Sequence, residues 1–257
     1  MNYKFLFLVG SSLEHFAEEQ YSRYSTEQRF LQTLETIKSI REKVPNAYIC
    51  LFECSFKEIS DEYKDILKEK VDLFLEFYDD FGLKLIYENL NSNPSLFTFG
   101  KSLLETRGLL CALNYLKQHQ VFTDAQRVFK LTGRYSLNEH FNIQDYESRL
   151  LDNYYVAKTF EYPKIENDIL DTNFYAFVYK STGSIVTGLW SFDRSLYLET
   201  VDALEKSFRY MEKMITCTSG IDIEHSLYYY LDKKKIIRTS NLGLNVIKGM
   251  EEAIYQI

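Results

Sequence analysis

Short apolar blocks alternate along this chain with segments of helical periodicity, and this alternation is the strongest constraint on its fold. An apolar block from Lys4 to Val9 precedes a helical pattern from Glu27 to Lys43, and a second apolar block covers Ala47 to Phe52. Strands and helices in βαβα order form a mostly parallel sheet covered by helices. The uninterrupted second block is typical of a strand buried on both faces. The sequence therefore predicts an α/β fold.

The alternation continues through the rest of the chain, where it predicts a helical C-terminal part. Ser25 and Gln28 have capping-box spacing before the first helix, and Ser102 and Glu105 repeat that spacing near a later one. A loop is expected to enter this later helix within Phe99 to Gly108. This later helix is predicted to run to about Gln118, and further helices are predicted near Glu58 to Lys70, from Arg194 to Met214 and from Asp222 to Leu231. Further strands are predicted over Val71 to Phe77, Tyr154 to Lys158 and Phe174 to Lys180. The tail is predicted to contain two short strands or extended pieces, Lys235 to Thr239 and Leu242 to Ile247.

Composition limits the partners. The chain has 257 residues, 46% of them hydrophobic, and a net charge of -7, which argues against nucleic acid held by phosphate contacts. No stretch rich in Pro, Gly or Ser divides it, so residues 1–257 are read as one domain. The four cysteines lack zinc-type spacing. The N-terminal apolar run is too short for a signal peptide or a membrane span, which predicts a cytoplasmic protein with reduced thiols.

The segment from Arg127 to Tyr135 reads as a buried strand that ends in a cationic, aromatic turn. Ligands of open α/β sheets bind outside the carboxyl ends of the strands, and a guanidinium group there suits a phosphate or diphosphate. Gly133, Arg134 and Tyr135 are therefore candidate ligand contacts. The alternative is that Gly133 is only a turn residue and Arg134 a solvated charge.

Three residues outside that segment are further candidates. Lys101 would lie beside the positive end of a helix, where an anion can bind, although an ordinary capped helix explains it equally well. Arg107 lies deeper in the same helix beside apolar residues. Trp190 is a candidate for lining a sugar or base, although packing is the commoner role of tryptophan. The chain is expected to turn between Gly183 and Gly188.

The order of these elements resembles that of GT-A-type glycosyltransferases. The resemblance rests on the N-terminal strand closed by small residues, the helix with Thr33, Thr36 and Ser39, the acidic strand end within Pro45 to Ser55, the helix from Gly100 to Tyr115, and the segment from Lys130 to Tyr135. It covers about the first 140 residues as an ordered pattern and the remainder more loosely.

The resemblance implies a Rossmann-like sheet, with a nucleotide-sugar donor bound by residues 1–140 and a glycan or other hydroxyl acceptor by residues 141–257. Synthesis of a surface polysaccharide or glycoconjugate is the expected setting. The expected substrate-binding residues are Gly10, Ser11, Glu53, Ser55, Lys101, Arg107, Lys130, Gly133, Arg134 and Tyr135.

The chain departs from the common GT-A pattern where an Asp-X-Asp signature would hold a divalent metal. Thr132 to Tyr135 occupy that place, and Asp79 and Asp80 follow a different strand in what reads as a solvated turn. We therefore expect no essential metal and no other cofactor. Arg134, assisted by Lys130 or Arg107, would stabilise the leaving diphosphate instead.

The acceptor hydroxyl of an inverting reaction needs a base. Glu224 and His225 are the candidates, with Glu224 as base and His225 as a phosphate or acceptor contact; the reversed roles stay open. Favourable charge in the first turn of a helix is an alternative explanation of Glu224.

Two other functions fit the pattern less directly. A non-catalytic GT-A-like module that binds a nucleotide or glycan would also lack the Asp-X-Asp signature. A methyltransferase is disfavoured because no Gly-X-Gly turn follows the first strand. The run Lys233 to Lys235 is usually a solvated face, and its alternative is weak attraction to an anionic acceptor or a membrane surface.

Overall fold

A central sheet organises the molecule, and it has seven strands in the part of the chain that the structure describes. The structure is a computed structural model that describes residues 4–14, 24–93, 97–162, 182–216, 221–247 and 254–256. The strands of the central sheet are β1 (Phe5–Ser11), β2 (Tyr48–Glu53), β3 (Leu73–Glu76), β4 (Arg127–Thr132), β6 (Tyr155–Glu161), β7 (Gly183–Asp193) and β8 (Ile236–Arg238). Their order across the sheet is β3-β2-β1-β4-β7-β6-β8. A smaller sheet of three strands contains β5 (Ser136–Leu137), β9 (Leu244–Ile247) and β10 (Ile254–Gln256).

Strands β1 to β4 are parallel to one another, whereas β7 runs antiparallel to β4 and β6. This mostly parallel sheet is flanked by helices, which confirms the predicted fold class. The helices are α1 (Thr26–Lys43), α2 (Asp61–Lys70), α3 (Phe81–Ser92), α4 (Phe97–Gln118), α5 (Tyr197–Thr216) and α6 (Ile223–Tyr230). The C-terminal part therefore contains two helices together with the strands β6 to β10.

Both faces of the sheet are covered because side chains alternate along each strand. On β1, Phe5 and Phe7 belong to a buried cluster with α1 and α2, and Phe7 stacks on Phe129 with ring centroids 4.6 Å apart. Leu6 and Leu8 point the other way, into a cluster with α3 to α6. Strand β1 is thus buried on both faces, as its continuous apolar sequence requires.

Local signals account for the start of α1. Ser25 accepts a hydrogen bond from the backbone N–H of Gln28, and the side chain of Gln28 accepts one from the backbone of Ser25. This confirms the predicted capping box. The second predicted box is wrong, because α4 already begins at Phe97 and the carbonyl of Ser102 accepts a hydrogen bond from the hydroxyl of Thr106 within the helix.

Helix α3 was not expected from the sequence, although Leu83, Ile86, Tyr87 and Leu90 have helical spacing and are buried on one face. Asp80 caps it by accepting a hydrogen bond of 2.9 Å from the N–H of Leu83. The predicted solvated turn at Asp79 and Asp80 is therefore a helix start.

The predicted turn between Gly183 and Gly188 is also wrong, because both glycines lie within the long strand β7. A Cβ at Gly188 would come within 2.7 Å of the ring of Tyr135, and one at Gly183 within 2.3 Å of the carbonyl of Phe160. These glycines permit close approach of neighbouring groups to a strand. The strand predicted from Phe174 to Lys180 lies outside the described residues.

Strand β1 continues through Gly10 and Ser11, which pair with Phe52 and Glu53 of β2, so these small residues extend the strand before the chain turns. Because β1, β2 and β4 are parallel, Ser11, Glu53 and Thr132 end at one edge of the sheet. We call this the carboxyl edge. No described helix is long and apolar enough to span a membrane.

Candidate functional site

An open pocket lies at the carboxyl edge, between the ends of β1 and β4 and the helices α1 and α4. Its empty volume, including the mouth, is about 920 Å³. Five residues predicted to bind substrate line this pocket: Gly10, Ser11, Lys101, Lys130 and Arg134. The other predicted site residues lie outside its lining: Glu53, Ser55, Arg107, Gly133, Tyr135, Glu224 and His225.

Three cationic side chains meet on one wall, from α1, α4 and the turn after β4. Burial, followed by the charge of Arg134, lowers the pKa of Arg29 to about 10. Partial burial among protein atoms, followed by the charges of Arg134 and Arg29, lowers the pKa of Lys101 to about 8. Arg134 itself forms no hydrogen bond or ion pair with any of the described residues. We call Arg29, Lys101 and Arg134 the cationic wall.

A buried carboxylate supports the loop beside this wall. Glu53 is 0% exposed and accepts hydrogen bonds from the hydroxyls of Ser11 and Ser55 and from the N–H of Leu13. Burial raises the pKa of Glu53 above its ordinary value, against the effect of these hydrogen bonds. Arg29 donates to the carbonyl of Ser12 at 2.8 Å. Glu53 and Ser55 thus fix the end of β1 from beneath the pocket.

Lys130 is 1% exposed, and its ammonium has three partners. It donates to Thr132 Oγ1 at 2.9 Å and to the carbonyl oxygen of Thr187 at 2.8 Å, and it forms an ion pair with Glu105. Three N–H donors match three acceptors. The structure therefore places Glu105, which the sequence suggested only as a helix cap, at the pocket with a buried cation behind it.

Arg107 is held by Asp80. Its Nε and Nη2 donate to the two carboxylate oxygens at 2.9 and 2.7 Å, a bidentate pair. Burial is the largest single effect on Asp80 and favours its neutral form, but the hydrogen bonds from Arg107 and from the N–H of Leu83, together with the charge of Arg107, lower the pKa of Asp80 overall. The pair joins the start of α3 to α4.

Gly133 and Tyr135 border the pocket region without lining the pocket. The N–H of Gly133 donates to the carbonyl of Gly10 at 2.8 Å, and a Cβ at Gly133 would meet that same oxygen at 2.8 Å. Glycine therefore lets the turn after β4 lie against β1. Tyr135 is partly buried, its ring lies against Gly188, and burial raises the pKa of its hydroxyl.

Glu224 lies in the first turn of α6 and accepts a hydrogen bond from the backbone of Thr187. Burial, followed by the negative charges of Asp222 and Glu105, raises the pKa of Glu224 to about 7. Thr187 of β7 thus contacts both Glu224 and Lys130, and Lys130 in turn forms an ion pair with Glu105.

The neighbouring His225 is directed elsewhere. Its Nδ1 lies 2.6 Å from Asp222 Oδ1, its Nε2 lies 3.1 Å from the hydroxyl of Tyr162, and that hydroxyl lies 3.2 Å from Ser184 Oγ. His225 is buried, so this chain of polar groups ties α6 to the ends of β6 and β7. The structure does not bring Glu224 and His225 to one surface.

Two other sequence candidates lie away from the pocket. Trp190 is buried in β7 beside Phe192, with ring centroids 5.6 Å apart. The run Lys233–Lys235 forms an exposed turn, where Lys235 forms an ion pair of 2.5 Å with Glu199.

No family model matches the sequence, and no curated protein matches it. Solved structures do share its fold. Core-mannan synthase A (CmsA/Ktr4) from Aspergillus fumigatus, solved in an Mn/GDP form, is 9% identical, with a TM-score of 0.52 over 96% of this chain and 75% of that chain. The fold is that of the GT-A-type glycosyltransferases.

Two more solved structures are similar to this chain at lower scores. The mannosyltransferase Ktr4p from S. cerevisiae is 13% identical, with a TM-score of 0.49 over 91% of this chain and 68% of that chain. The galactosyltransferase LgtC, in complex with donor and acceptor sugar analogs, is 12% identical, with a TM-score of 0.44 over 91% and 72%. At these identities the likeness concerns the fold, and the chemistry has to be argued from the pocket.

Within this GT-A fold, sequence reasoning missed Arg29, Tyr87 and the pocket position of Glu105. Arg29 is buried four residues before Thr33, and both line the pocket, so a charged residue on the buried face of α1 was the available signal. Tyr87 belongs to the helix that was not predicted; its hydroxyl donates to the carbonyl of Cys54 at 2.6 Å.

Proposed function

We propose that the protein is a glycosyltransferase that moves a sugar from a nucleotide-sugar donor to a glycan or another hydroxyl acceptor, without an essential metal. The observation that carries this proposal is the cationic wall in an open pocket at the carboxyl edge. A cluster of cations at the carboxyl ends of parallel strands suits the diphosphate of a nucleotide sugar. Core-mannan synthase A, which shares the fold, was solved in an Mn/GDP form.

The wall would serve both binding and reaction. As the bond between the anomeric carbon and the diphosphate oxygen breaks, negative charge develops on that oxygen, and cations already in place stabilise it. The acceptor oxygen forms the new bond to the anomeric carbon, and its proton passes to a base, for which Glu224 is our candidate. Surface polysaccharide or glycoconjugate synthesis is the setting we propose for this transfer.

Binding of a nucleoside diphosphate tests the proposal. We expect calorimetry to show that Arg134→Ala weakens binding of GDP or UDP by about tenfold or more, since a hydrogen bond to a charged group contributes about 1.5–3 kcal/mol. The melting temperature should stay unchanged, because Arg134 makes no ion pair with the described residues. The matched control is Arg209→Ala, an exposed arginine on α5 outside the pocket.

If Arg134→Ala and the wild type bind GDP or UDP with equal affinity, the cationic wall does not bind the donor diphosphate. A wild type that binds nucleotides but neither hydrolyses nor transfers a sugar would instead favour the non-catalytic binding module.

The residues of the pocket fit a divalent metal poorly. A divalent metal at a nucleotide site is held by one or two carboxylates together with substrate phosphates, and among the described residues that line the pocket only Glu105 carries a carboxylate. Glu53 is buried beneath the pocket and Glu105 is paired with Lys130. This supports, as a proposal, a reaction whose charge is stabilised by the cationic wall.

Metal independence has a direct measurement. Donor hydrolysis or transfer should keep its rate in EDTA, because the cations that stabilise the leaving group belong to the chain. Loss of activity in EDTA that manganese or magnesium restores would contradict this part of the proposal while leaving the transferase itself standing.

A further inference from the structure

The pocket has an acidic residue as well as the cationic wall, and the two occupy different places along α4. Lys101 and Glu105 both line the pocket and are four residues apart, so they lie on one face of the helix with about 6 Å of rise between them. Glu105 forms an ion pair with Lys130 and with none of the three cations of the wall. The pocket therefore offers a place for an anion and, one helical turn away, a carboxylate.

The position of this carboxylate is fixed by the fold. Lys130 is buried, and its other two hydrogen bonds, to Thr132 and Thr187, anchor the ammonium to β4 and β7. One carboxylate oxygen of Glu105, Oε1, meets this ammonium. The other, Oε2, accepts no hydrogen bond from the described residues, and the Glu105 side chain is 30% exposed.

We propose that Glu105 recognises hydroxyl groups of the donor sugar and selects for the sugar, with Lys130 as the residue that positions it. The inference rests on the proposed function and deepens it. An ionised carboxylate only accepts hydrogen bonds, and sugar hydroxyls are its natural donors. In a glycosyl diphosphate, the anionic diphosphate is attached to a sugar ring that carries hydroxyl groups. The pocket has a matching arrangement, with Lys101 for the diphosphate and Glu105, one helical turn away, for the hydroxyls.

The inference separates binding of the sugar from binding of the diphosphate. Calorimetry would compare GDP with GDP-mannose and UDP with UDP-glucose, on the wild type and on Glu105→Gln. For the pair that the wild type binds, we expect Glu105→Gln to bind the nucleoside diphosphate as the wild type does and the nucleotide sugar about tenfold or more weakly, the loss of a charged hydrogen-bond acceptor. Glu62→Gln, on the exposed face of α2, is the matched control.

A second variant guards against damage to the fold, because Glu105→Gln removes the charge opposite buried Lys130. Glu105→Asp keeps that charge but shortens the side chain, so the nucleotide sugar should again bind more weakly while the melting temperature stays near that of the wild type. Lys130→Met should show the same selective loss if Lys130 positions Glu105.

The failures of the two proposals are distinguishable. Unchanged nucleotide-sugar affinity in both Glu105 variants, or an equal loss for the nucleoside diphosphate and its sugar conjugate, would overturn the role of Glu105 alone. A wild type that binds none of the four ligands would overturn the proposed function itself, and the role of Glu105 with it.

Discussion

The cationic wall and the first turn of α6 both place charged groups beside the sheet, but they satisfy those charges differently. In the wall, Arg134 has no ion-pair partner among the described residues, and burial, followed by the charge of Arg134, lowers the pKa of both Arg29 and Lys101. In α6, His225 lies between Asp222 and Tyr162 at hydrogen-bond distances. Like charges held together around an open space favour binding of an anion, whereas a closed chain of polar groups favours a fixed structure.

Glu224 belongs to α6 and has a shifted pKa. The pKa of Glu224 is raised to about 7, first by burial and then by the carboxylates of Asp222 and Glu105. A pKa near the working pH is what a general base requires. Among the charged groups of α6, Glu224 is therefore the one that we propose as the base.

The largest expected effect tests this difference between Glu224 and His225. Glu224→Gln keeps the shape of the side chain but cannot accept a proton, so turnover should fall about 100-fold or more with little change in donor affinity. In the wild type, turnover should rise as the pH passes through about 7, because the base acts in its ionised form. Steady-state kinetics from pH 5 to 9 measure both the loss of turnover in Glu224→Gln and the pH dependence of turnover in the wild type.

His225→Ala is the comparison within the same helix, because the ring of His225 lies at hydrogen-bond distance from Asp222 and Tyr162. We expect a milder loss of turnover from this substitution. The reverse ranking would move the base to His225, and near-normal turnover in both variants would place it elsewhere in the chain.

The raised pKa of Glu224 also predicts how stability depends on pH. Because the folded state holds this proton more tightly than the unfolded chain, Glu224 stabilises the fold below pH 4.5, and that contribution is lost as the pH rises through about 7. One pKa unit corresponds to about 1.36 kcal/mol, and the pKa rises from 4.5 to about 7, so the contribution is on the order of 3 kcal/mol.

Urea denaturation at pH 5 and pH 8 tests this prediction. The wild type should lose more unfolding free energy between the two than Glu224→Gln, which has no proton to lose. Parallel losses would show that Glu224 is ionised at both pH values and that its pKa is not raised in the folded protein.

Much of the architecture was predictable because local signals decide it. The apolar run of β1, the capping box of Ser25 and the strand that delivers Arg134 to the carboxyl edge each depend on neighbouring residues. Gly183 and Gly188 misled the prediction because glycine permits close contacts in a strand as well as turns, and only the packing of Tyr135 and Phe160 distinguishes these uses.

The partners of charged residues could not be predicted, because contacts distant in sequence determine them. Lys130 pairs with Glu105 across 25 positions, and Arg107 pairs with Asp80 across 27. Each was expected to assist a phosphate, and each is instead occupied by a carboxylate from another element. Arg134 has no such partner among the described residues, which is why the wall remains our proposed anion site.

The smallest expected effect tests whether the wall changes its protonation when it binds an anion. With a pKa of about 8, Lys101 carries its proton in about half of the molecules at pH 8. A bound diphosphate favours the charged form, so binding of GDP or UDP at pH 8 should take up as much as about half a proton. Calorimetry in two buffers of different ionisation enthalpy measures this uptake.

Lys101→Arg is the matched control, because arginine keeps the positive charge but stays protonated at this pH. The variant should still bind the nucleotide, and the uptake should disappear. Uptake that persists in Lys101→Arg would come from another group, and a wild type without uptake would mean that the bound anion lies away from Lys101. Proton uptake that Lys101→Arg abolishes would show that the cationic wall gains charge when a ligand supplies the opposite charge. The polar chain of α6 differs, because its donors and acceptors are already matched within the protein.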